Sequence, residues 1–280
     1  MRQTGRRATL ALGAALLAGC GWTHVRADAH GVDPALPSEL VGLWQVDSAA
    51  VPPGTYLKFE TDGHLYLFAE CGAPFGRWRA TPGGAFTVVF VVAAPGCPEI
   101  PGDDEWERNT PVWLRGVVGF RDDGARRVLV DAAGATVAIL TASSHAPGEL
   151  MLGARDAPDP PSAEERAALD AVVRPVRAGA GPGDLPGTWL PEGSRAGVYV
   201  RFERNGELKL RDGCNTGRGR WTVVPGGAFA AAMSLSYVVA CDNAPIEAWL
   251  ENAAWITKDE RGLVLVDAGG HDLGRLTVDY

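Results

Sequence analysis

The chain has 280 residues, with 34 acidic and 26 basic side chains and a formal net charge of −8. An acidic chain disfavours nucleic-acid binding and a polybasic membrane patch, because both need clustered cations. The length suits one or two domains, and no residue pattern indicates a cofactor.

The start of the chain has the pattern of an export leader. Arg2, Arg6 and Arg7 precede an uncharged apolar stretch at residues 8–18, which is too short to span a bilayer. The run of small residues that ends in Cys20 resembles the lipobox of bacterial lipoproteins, in which the cysteine is acylated and becomes the mature N-terminus. An ordinary secretory signal with an incidental cysteine is the alternative.

We therefore predict a lipoprotein signal peptide at residues 1–19, lipidation of Cys20 and a tether at residues 20–36. The sequence is compatible with export by either the general secretory route or the twin-arginine route. The expected location is the extracytoplasmic face of the cell membrane, with attachment through the N-terminal lipid alone. Loss of the signal removes three arginines and no acid, so the net charge moves from −8 to −11.

An internal repeat organises the rest of the chain. The segment PGGAF at residues 82–86 recurs at residues 225–229, and eight of the nine tryptophans divide equally between the two copies. So long a period predicts two tandem domains, since solenoid units are much shorter. We place the first domain at residues 37–141, a linker at 142–184 and the second domain at 185–280.

Alternating apolar residues predict antiparallel strands in both copies. In the first copy, residues 55–60 and 64–68 flank an Asp62-Gly63 turn, and Asn205-Gly206 holds the equivalent place in the second. These dipeptides favour a tight hairpin in which both turn residues have positive φ. Further strands are predicted at residues 76–80, 85–92, 128–131 and 136–140. The expected inward-facing residues are Leu57, Phe59, Leu65 and Leu67, with Val200, Phe202, Leu208 and Leu210 as their counterparts.

One helix is predicted within each copy. Ile246, Trp249, Leu250 and Ala253 follow helical spacing in the second copy. The first copy's version, at about residues 103–113, contains a proline and should be shorter or broken. The linker has a capping-box pattern from Ser162 to Glu165 that predicts a short helix continuing through Val172 and Val173 and ending at Pro175. Such a linker either docks one domain against the other or spaces the two apart.

Four of the five cysteines occupy equivalent positions in the two copies. The simplest pairing joins Cys71 to Cys97 and Cys214 to Cys241. In the chain-entropy model each bridge stabilises its domain by about 3 to 4 kcal/mol, and an exported chain permits disulfides. The rival interpretation is a zinc site, but no Cys-x-x-Cys spacing occurs and the histidines are scattered, so no metal is predicted.

Several of these motifs together resemble a known family. The second copy has Gly-Cys-Asn at residues 213–215, Gly-Arg-Trp at 219–221 and Cys241 shortly before its helix, and over residues 185–276 it resembles the META domain of the bacterial heat-shock protein HslJ. The first copy has Glu-Cys-Gly at residues 70–72, where the family has Gly-Cys-Asn. The resemblance implies two tandem, compact, β-barrel-like META domains of α+β class, predominantly antiparallel β, each with one packed helix. It also implies envelope lipoproteins, sometimes linked to stress response, and no established catalytic residues.

One turn is a candidate ligand site. Its three glycines, between Gly213 and Gly219, expose backbone N–H groups to an anion in the manner of a nest, with Asn215, Arg218 and Arg220 as accompanying side chains. A tight structural turn around a disulfide cysteine is the simpler interpretation.

Other polar clusters predict no chemistry. The acidic residues at 103–105 and 122–123 lack the alternating ligands of a calcium loop. Ser143, Ser144 and His145 are adjacent in sequence, but no nucleophile elbow is present. We predict no catalytic and no metal-binding residue.

The leading functional hypothesis is a non-catalytic binding or envelope-maintenance module with an envelope protein as partner. The alternative is a carrier of a small hydrophobic ligand, bound in a pocket between sheet and helix. An enzyme is the least favoured class.

Overall fold

The computed structural model describes residues 35–70, 72–92, 110–148, 155–235 and 245–278. Within them the chain is α+β and predominantly antiparallel β.

Two eight-stranded antiparallel sheets form the two modules. The strands of the first module are β1 (Gly42–Asp47), β2 (Tyr56–Phe59), β3 (His64–Phe68), β4 (Phe75–Ala80), β5 (Phe86–Val92), β6 (Gly119–Asp123), β7 (Arg126–Val130) and β8 (Thr136–Ser143). Those of the second are β9 (Gly187–Pro191), β10 (Tyr199–Phe202), β11 (Glu207–Arg211), β12 (Thr216–Val223), β13 (Phe229–Leu235), β14 (Ala253–Asp259), β15 (Gly262–Asp267) and β16 (Asp272–Val278). The helices are a 3₁₀ turn at Pro37–Leu40, α1 (Val112–Arg115), α2 (Ala163–Leu169) and α3 (Ile246–Asn252).

Each sheet is a meander that curls back on itself. The first sheet has the order β5-β4-β3-β2-β1-β8-β7-β6, and the second repeats it as β13-β12-β11-β10-β9-β16-β15-β14. The end strands of each sheet then meet: Phe86 N donates to Val118 O at 3.0 Å, and Ile256 N donates to Gly227 O at 2.8 Å. These contacts join the end strands of each sheet, give one of the two sheets a nearly barrel-shaped form, and cover edges that would otherwise invite aggregation.

The cores of the modules match in detail. Phe59 and Trp78 meet edge to face at 5.3 Å between ring centroids, and their counterparts Phe202 and Trp221 do so at 5.4 Å. All the side chains predicted to face inward are buried, because alternate residues of each strand point to the concave side of the sheet. The internal sequence repeat therefore corresponds to the same core packing in both modules.

The two modules pack against each other through equivalent strands. β5 lies against β13, and the contacts of β4 with β13 are mirrored by those of β5 with β12. Outward-facing Val89, Ala230 and Ala232 are buried here, with at most 1% of their surface exposed. Thr222 Oγ1 donates to Val118 O across the boundary at 3.1 Å. Equivalent strands of the two modules therefore contact each other reciprocally. The same arrangement is found in isologous dimer interfaces, but here it lies within one chain.

The linker is docked on both modules. Ser38 of the first module donates to both carboxylate oxygens of Asp170, from its N at 2.9 Å and its Oγ at 2.6 Å. On the second module, Ala180 N donates to Ile256 O at 2.9 Å. The linker therefore docks against both modules and does not merely space them apart. Asp33–Tyr280 form one compact unit.

Most predicted elements are confirmed. The hairpins β2–β3 and β10–β11 are present, the four further strands are present as β4, β5, β7 and β8, and the capping box at Ser162 and Glu165 is formed on both sides. No helix in the described part of the chain has the length and apolar character needed to cross a membrane.

Three features differ from the prediction: the φ angles of the hairpin turns, the end of the linker helix and the end of the second-module helix. Gly63 and Gly206 have positive φ, but no non-glycine residue described does. Gly63 N donates to Glu60 O at 3.1 Å, and Glu60 N donates to His64 O at 3.0 Å. These bonds describe a three-residue hairpin loop in which only the glycine is left-handed, so the prediction of two positive-φ residues was wrong.

The linker helix and the second-module helix are both shorter than predicted. α2 ends at Leu169, and Val172 and Val173 are exposed beyond it, since the chain turns there to lie along the second module. Ala253 opens β14 instead of extending α3. Of the first module's predicted helix, residues 103–109 lie outside the described ranges, and α1 begins only after Pro111.

Candidate functional site

The turn that joins β11 to β12 is organised by Asp212. Its Oδ1 accepts hydrogen bonds from Cys214 N at 2.9 Å and Asn215 N at 2.7 Å, and its Oδ2 accepts one from Asn215 Nδ2 at 2.9 Å. Asp212 and Asn215 are 8% and 5% exposed. These polar atoms of the turn thus form hydrogen bonds with one another, as is usual for buried polar groups.

These hydrogen bonds decide the charge state of the turn. Burial alone raises the pKa of Asp212, but the bonds from Asn215 and Cys214 favour the carboxylate and hold its pKa below the ordinary value. Asp212 is therefore ionised at neutral pH and serves as an acceptor.

A cleft of about 430 Å³ lies beside this turn, between the sheet and α3. Trp249 of α3 forms its apolar wall and lies flat on β16, where a Cβ on Gly274 would be 2.5 Å from the indole ring. The other lining residues are Pro191, Glu192, Gly193, Ser194, Arg195, Ala196, Val198, Asp212, Gly213, Cys214 and Pro245.

Carboxylates gather around α3. Burial raises the pKa of Glu247, and the nearby charges of Glu251 and Asp212 raise it further, while Arg77 of the first module opposes them. Glu251 also interacts with the guanidinium of Arg79, so carboxylates of α3 and cations of the first module lie near one another.

The predicted ligand residues lie in different surroundings. Asn215 closes the turn, and Arg218 is exposed on β12. Arg220 is 8% exposed and donates to Arg115 O of the first module at 2.5 Å and to Asn205 O at 3.2 Å. Arg220 thus holds the two modules together, and a ligand at these three residues stays a prediction.

Of the cysteines, the structure describes Cys214, which lies in this turn. Cys71, Cys97 and Cys241 lie outside the described residues, as does Cys20. The predicted pairings and the lipidation of Cys20 stay predictions.

A second, more open hollow of about 650 Å³ lies on the same module. It is formed by the start of β9, the end of β10 and the turn into β11. The residues that line it are Pro186, Gly187, Thr188, Arg201, Phe202, Glu203, Arg204, Asn205 and Glu207.

One metal-type cluster occurs among the described residues, at the β2–β3 turn. Ligand atoms of Glu60, Asp62 and His64 lie within 4.8 Å of one another. His64 Nδ1 is 2.6 Å from Asp62 Oδ2, and Lys58 Nζ is 2.9 Å from Glu60 Oε1. Each member of the cluster therefore has a protein partner within hydrogen-bonding distance.

The remaining polar clusters form local structural contacts. Asp122 pairs with Arg127 at 2.6 Å, and Ser143 Oγ donates to His145 O at 3.0 Å instead of facing the imidazole. His145 Nδ1 is 2.8 Å from Asp156 Oδ1. The acidic residues 103–105 lie outside the described ranges.

Sequence reasoning missed Asp212, which organises the turn. The signal was present, because an aspartate followed two and three residues later by its own hydrogen-bond donors is the pattern of an Asx turn.

No family model, no curated protein and no solved structure matches this chain.

Proposed function

We propose that this chain is an exported, lipid-anchored envelope protein whose two META-type modules form a non-catalytic binding unit. The observation that carries the proposal is the cleft beside the Asp212 turn. It combines the apolar wall of Trp249 with a small number of polar groups, which is the usual composition of a binding site. An envelope protein segment is the favoured occupant.

The state of the nearby polar groups supports binding rather than catalysis. Both oxygens of Asp212 accept hydrogen bonds within the turn, and general acid–base work requires a group within reach of a substrate proton. The predicted disulfide of Cys214 would leave no thiolate nucleophile in the turn.

A small-ligand carrier is the second candidate. The cleft volume of about 430 Å³ falls within the range of about 300 to 1,000 Å³ that is typical of ligand pockets. The cleft lies between the sheet and α3, which supports this candidate.

The test is site-specific photo-crosslinking in intact cells. A photoreactive residue replaces Ala196, which is exposed at the cleft, and in a matched variant it replaces Arg261, which is exposed on the β14–β15 turn. We expect a protein adduct from position 196 and none from position 261. A small mass added at position 196 would favour the carrier, and the same products from both positions would refute a site at the cleft.

A further inference from the structure

The linker helix α2 lies across one surface of the first module, which extends from the 3₁₀ turn before β1 to the β2–β3 turn. At one end Thr61 Oγ1 donates to Glu165 Oε1 at 3.0 Å. At the other end Ser38 donates from its N and its Oγ to the Asp170 carboxylate, at 2.9 and 2.6 Å. Leu169, between the two carboxylates, packs against the core of the first module. We name this part of the module the docking surface.

The second module repeats the backbone of the docking surface. In each module a tryptophan of the first strand donates from Nε1 to a leucine carbonyl four residues earlier, at 2.7 Å. In each, a glycine of that strand pairs with the last phenylalanine of the next strand. The equivalent positions that follow are Pro37 and Pro182, Ser38 and Gly183, Gly42 and Gly187, Leu43 and Thr188, and Thr61 and Arg204.

The same surface is covered on one module and open on the other. At each of these pairs the residue of the second module is the more exposed one. Pro37 and Ser38 are buried, whereas Pro182 and Gly183 are exposed. The hollow of about 650 Å³ lies at this surface of the second module, beside the start of β9 and the end of β10. The first module therefore shows what kind of element the hollow of the second can hold.

The differences between the two surfaces define the chemistry of an occupant. Gly183 keeps the backbone N–H with which Ser38 binds a carboxylate, and a Cβ at Gly183 would meet nothing within 4 Å. Arg204 occupies the position of Thr61, and a guanidinium binds a carboxylate more strongly than a hydroxyl does. Pro186 lines the hollow between these two positions and offers an apolar contact. Both carboxylate-binding positions are thus retained.

The carboxylates of the hollow itself are paired with cations. Glu203 lies 2.8 Å from Arg201, and Glu207 lies 3.7 Å from Lys209. The first module also has such a pair beside its docked helix, with 2.9 Å between the charged atoms, so a pair of this kind is compatible with an acidic helix. Arg204 is exposed next to these pairs.

We propose that the hollow of the second module binds a short helix of another protein, with a carboxylate at each end and a leucine between them. The first carboxylate pairs with Arg204, the leucine packs on Pro186, and the second carboxylate accepts from Gly183 N. This is recognition of a helix in a groove, at a site separate from the cleft beside Asp212. The linker helix does not supply the occupant, because both of its ends are bound to the first module.

The test is titration of a fluorescent peptide into the full chain, followed by anisotropy. The peptide has the sequence of residues 159–172, which includes α2 and its capping box. The chain's own α2 is tethered beside the first module at high effective concentration, so the peptide reports the second. Isolated helices of this length are marginal in water, so we expect weak, saturable binding. Binding should weaken further at high salt.

Charge variants identify the residue that recognises the peptide. Arg204→Glu should weaken binding on the order of tenfold, because an attractive exposed charge pair becomes a repulsive one. The matched control Arg211→Glu changes another exposed arginine of the same module and should bind like the parent. In the peptide, Glu165→Gln keeps the capping box and should weaken binding about threefold, whereas Glu164→Gln should not. Thermal unfolding checks that both protein variants are folded.

Nuclear magnetic resonance of the isotopically labelled chain locates the bound peptide. We expect amide shifts at Gly183, Gly187 and Arg204 and none at Ala196 of the cleft. Shifts at the cleft alone, equal weakening by both protein variants, or no binding of the peptide would each overturn the proposal. A chain that dimerises on its own through α2 would also overturn it, since the occupant would then be a second copy. Crosslinking at position 196 tests the cleft separately, so the two proposals can fail independently.

Discussion

At the scale of single residues, Asp212 shows how one carboxylate organises a functional surface. It accepts three hydrogen bonds from two following residues, which places the Cys214 turn at the rim of the cleft. Because these donors favour the charged form, the pKa of Asp212 is lowered even though burial opposes the shift. A folded-state pKa below the unfolded value means that ionisation of this group stabilises the fold.

This linkage predicts a pH-dependent effect of Asp212→Asn. Above the unfolded pKa of about 3.8 the variant should be less stable by about 1 to 3 kcal/mol, because buried donors lose a charged acceptor. As the pH falls through the folded pKa, the parent loses the same interaction and the difference should shrink. Urea unfolding between pH 7 and pH 3 measures it, with exposed Asp159→Asn as the control. A difference that stays constant with pH would contradict the assignment.

At the scale of elements, the linker helix α2 is held by its ends. Its N-terminus is closed by the reciprocal capping box of Ser162 and Glu165, and Glu165 also accepts a hydrogen bond from Thr61 Oγ1 of the first module at 3.0 Å. Its C-cap residue, Asp170, accepts hydrogen bonds from Ser38. None of the helical residues is fully buried, so polar contacts at the two ends, together with the partly buried Leu169 packed on the first core, hold the helix in place.

Asp170→Ala should therefore loosen the linker without unfolding the sheets. Loss of two hydrogen bonds is expected to lower the local opening free energy of α2 by about 1 to 3 kcal/mol. Hydrogen exchange read by mass spectrometry should show faster exchange in the α2 peptide and unchanged exchange in β7. Glu164→Gln, exposed on the same helix, is the control. Equal acceleration in β7 would show that the linker and the sheet open together.

At the scale of the whole molecule, two similar modules are joined by matching surfaces of small residues. Gly83 of the first module meets Ala228 of the second, and a Cβ on Gly83 would lie 2.2 Å from the Cβ of Ala228. Ala85 packs in one cluster with Ala228, Ala230 and Trp255 across the boundary. Short side chains let the strands of the two modules approach closely.

Gly83→Ala should push the modules apart. The added methyl group is expected to cost about 1 to 3 kcal/mol of unfolding free energy, as overpacking does. Ala228→Gly in the same chain removes the clashing atom and should restore most of the loss. Gly116→Ala, where an added Cβ meets nothing within 4 Å, is the control. Chemical denaturation measures all four chains, and the absence of rescue would mean that the loss arises within the first module.

Local chemistry alone determined much of this protein. Alternation along the strands, together with the glycines at positions 63 and 206, was sufficient to predict the hairpins and their inward faces, because both depend on neighbouring residues. The repeat predicted two modules, since equivalent tryptophans and phenylalanines need equivalent cores. The capping box at Ser162 predicted the start of α2, because a cap is complete within four residues.

The tertiary structure decided the features that join distant parts of the chain. The linker's docked position, the burial of Arg220 against the other module and the end of α2 at Leu169 all depend on contacts between residues far apart in sequence. Strand register decided that Arg201, Lys209 and Arg218 lie side by side, although they are scattered along an acidic chain. Alternation along each strand assigns a residue to one face, and only the register between strands decides which residues of that face are neighbours.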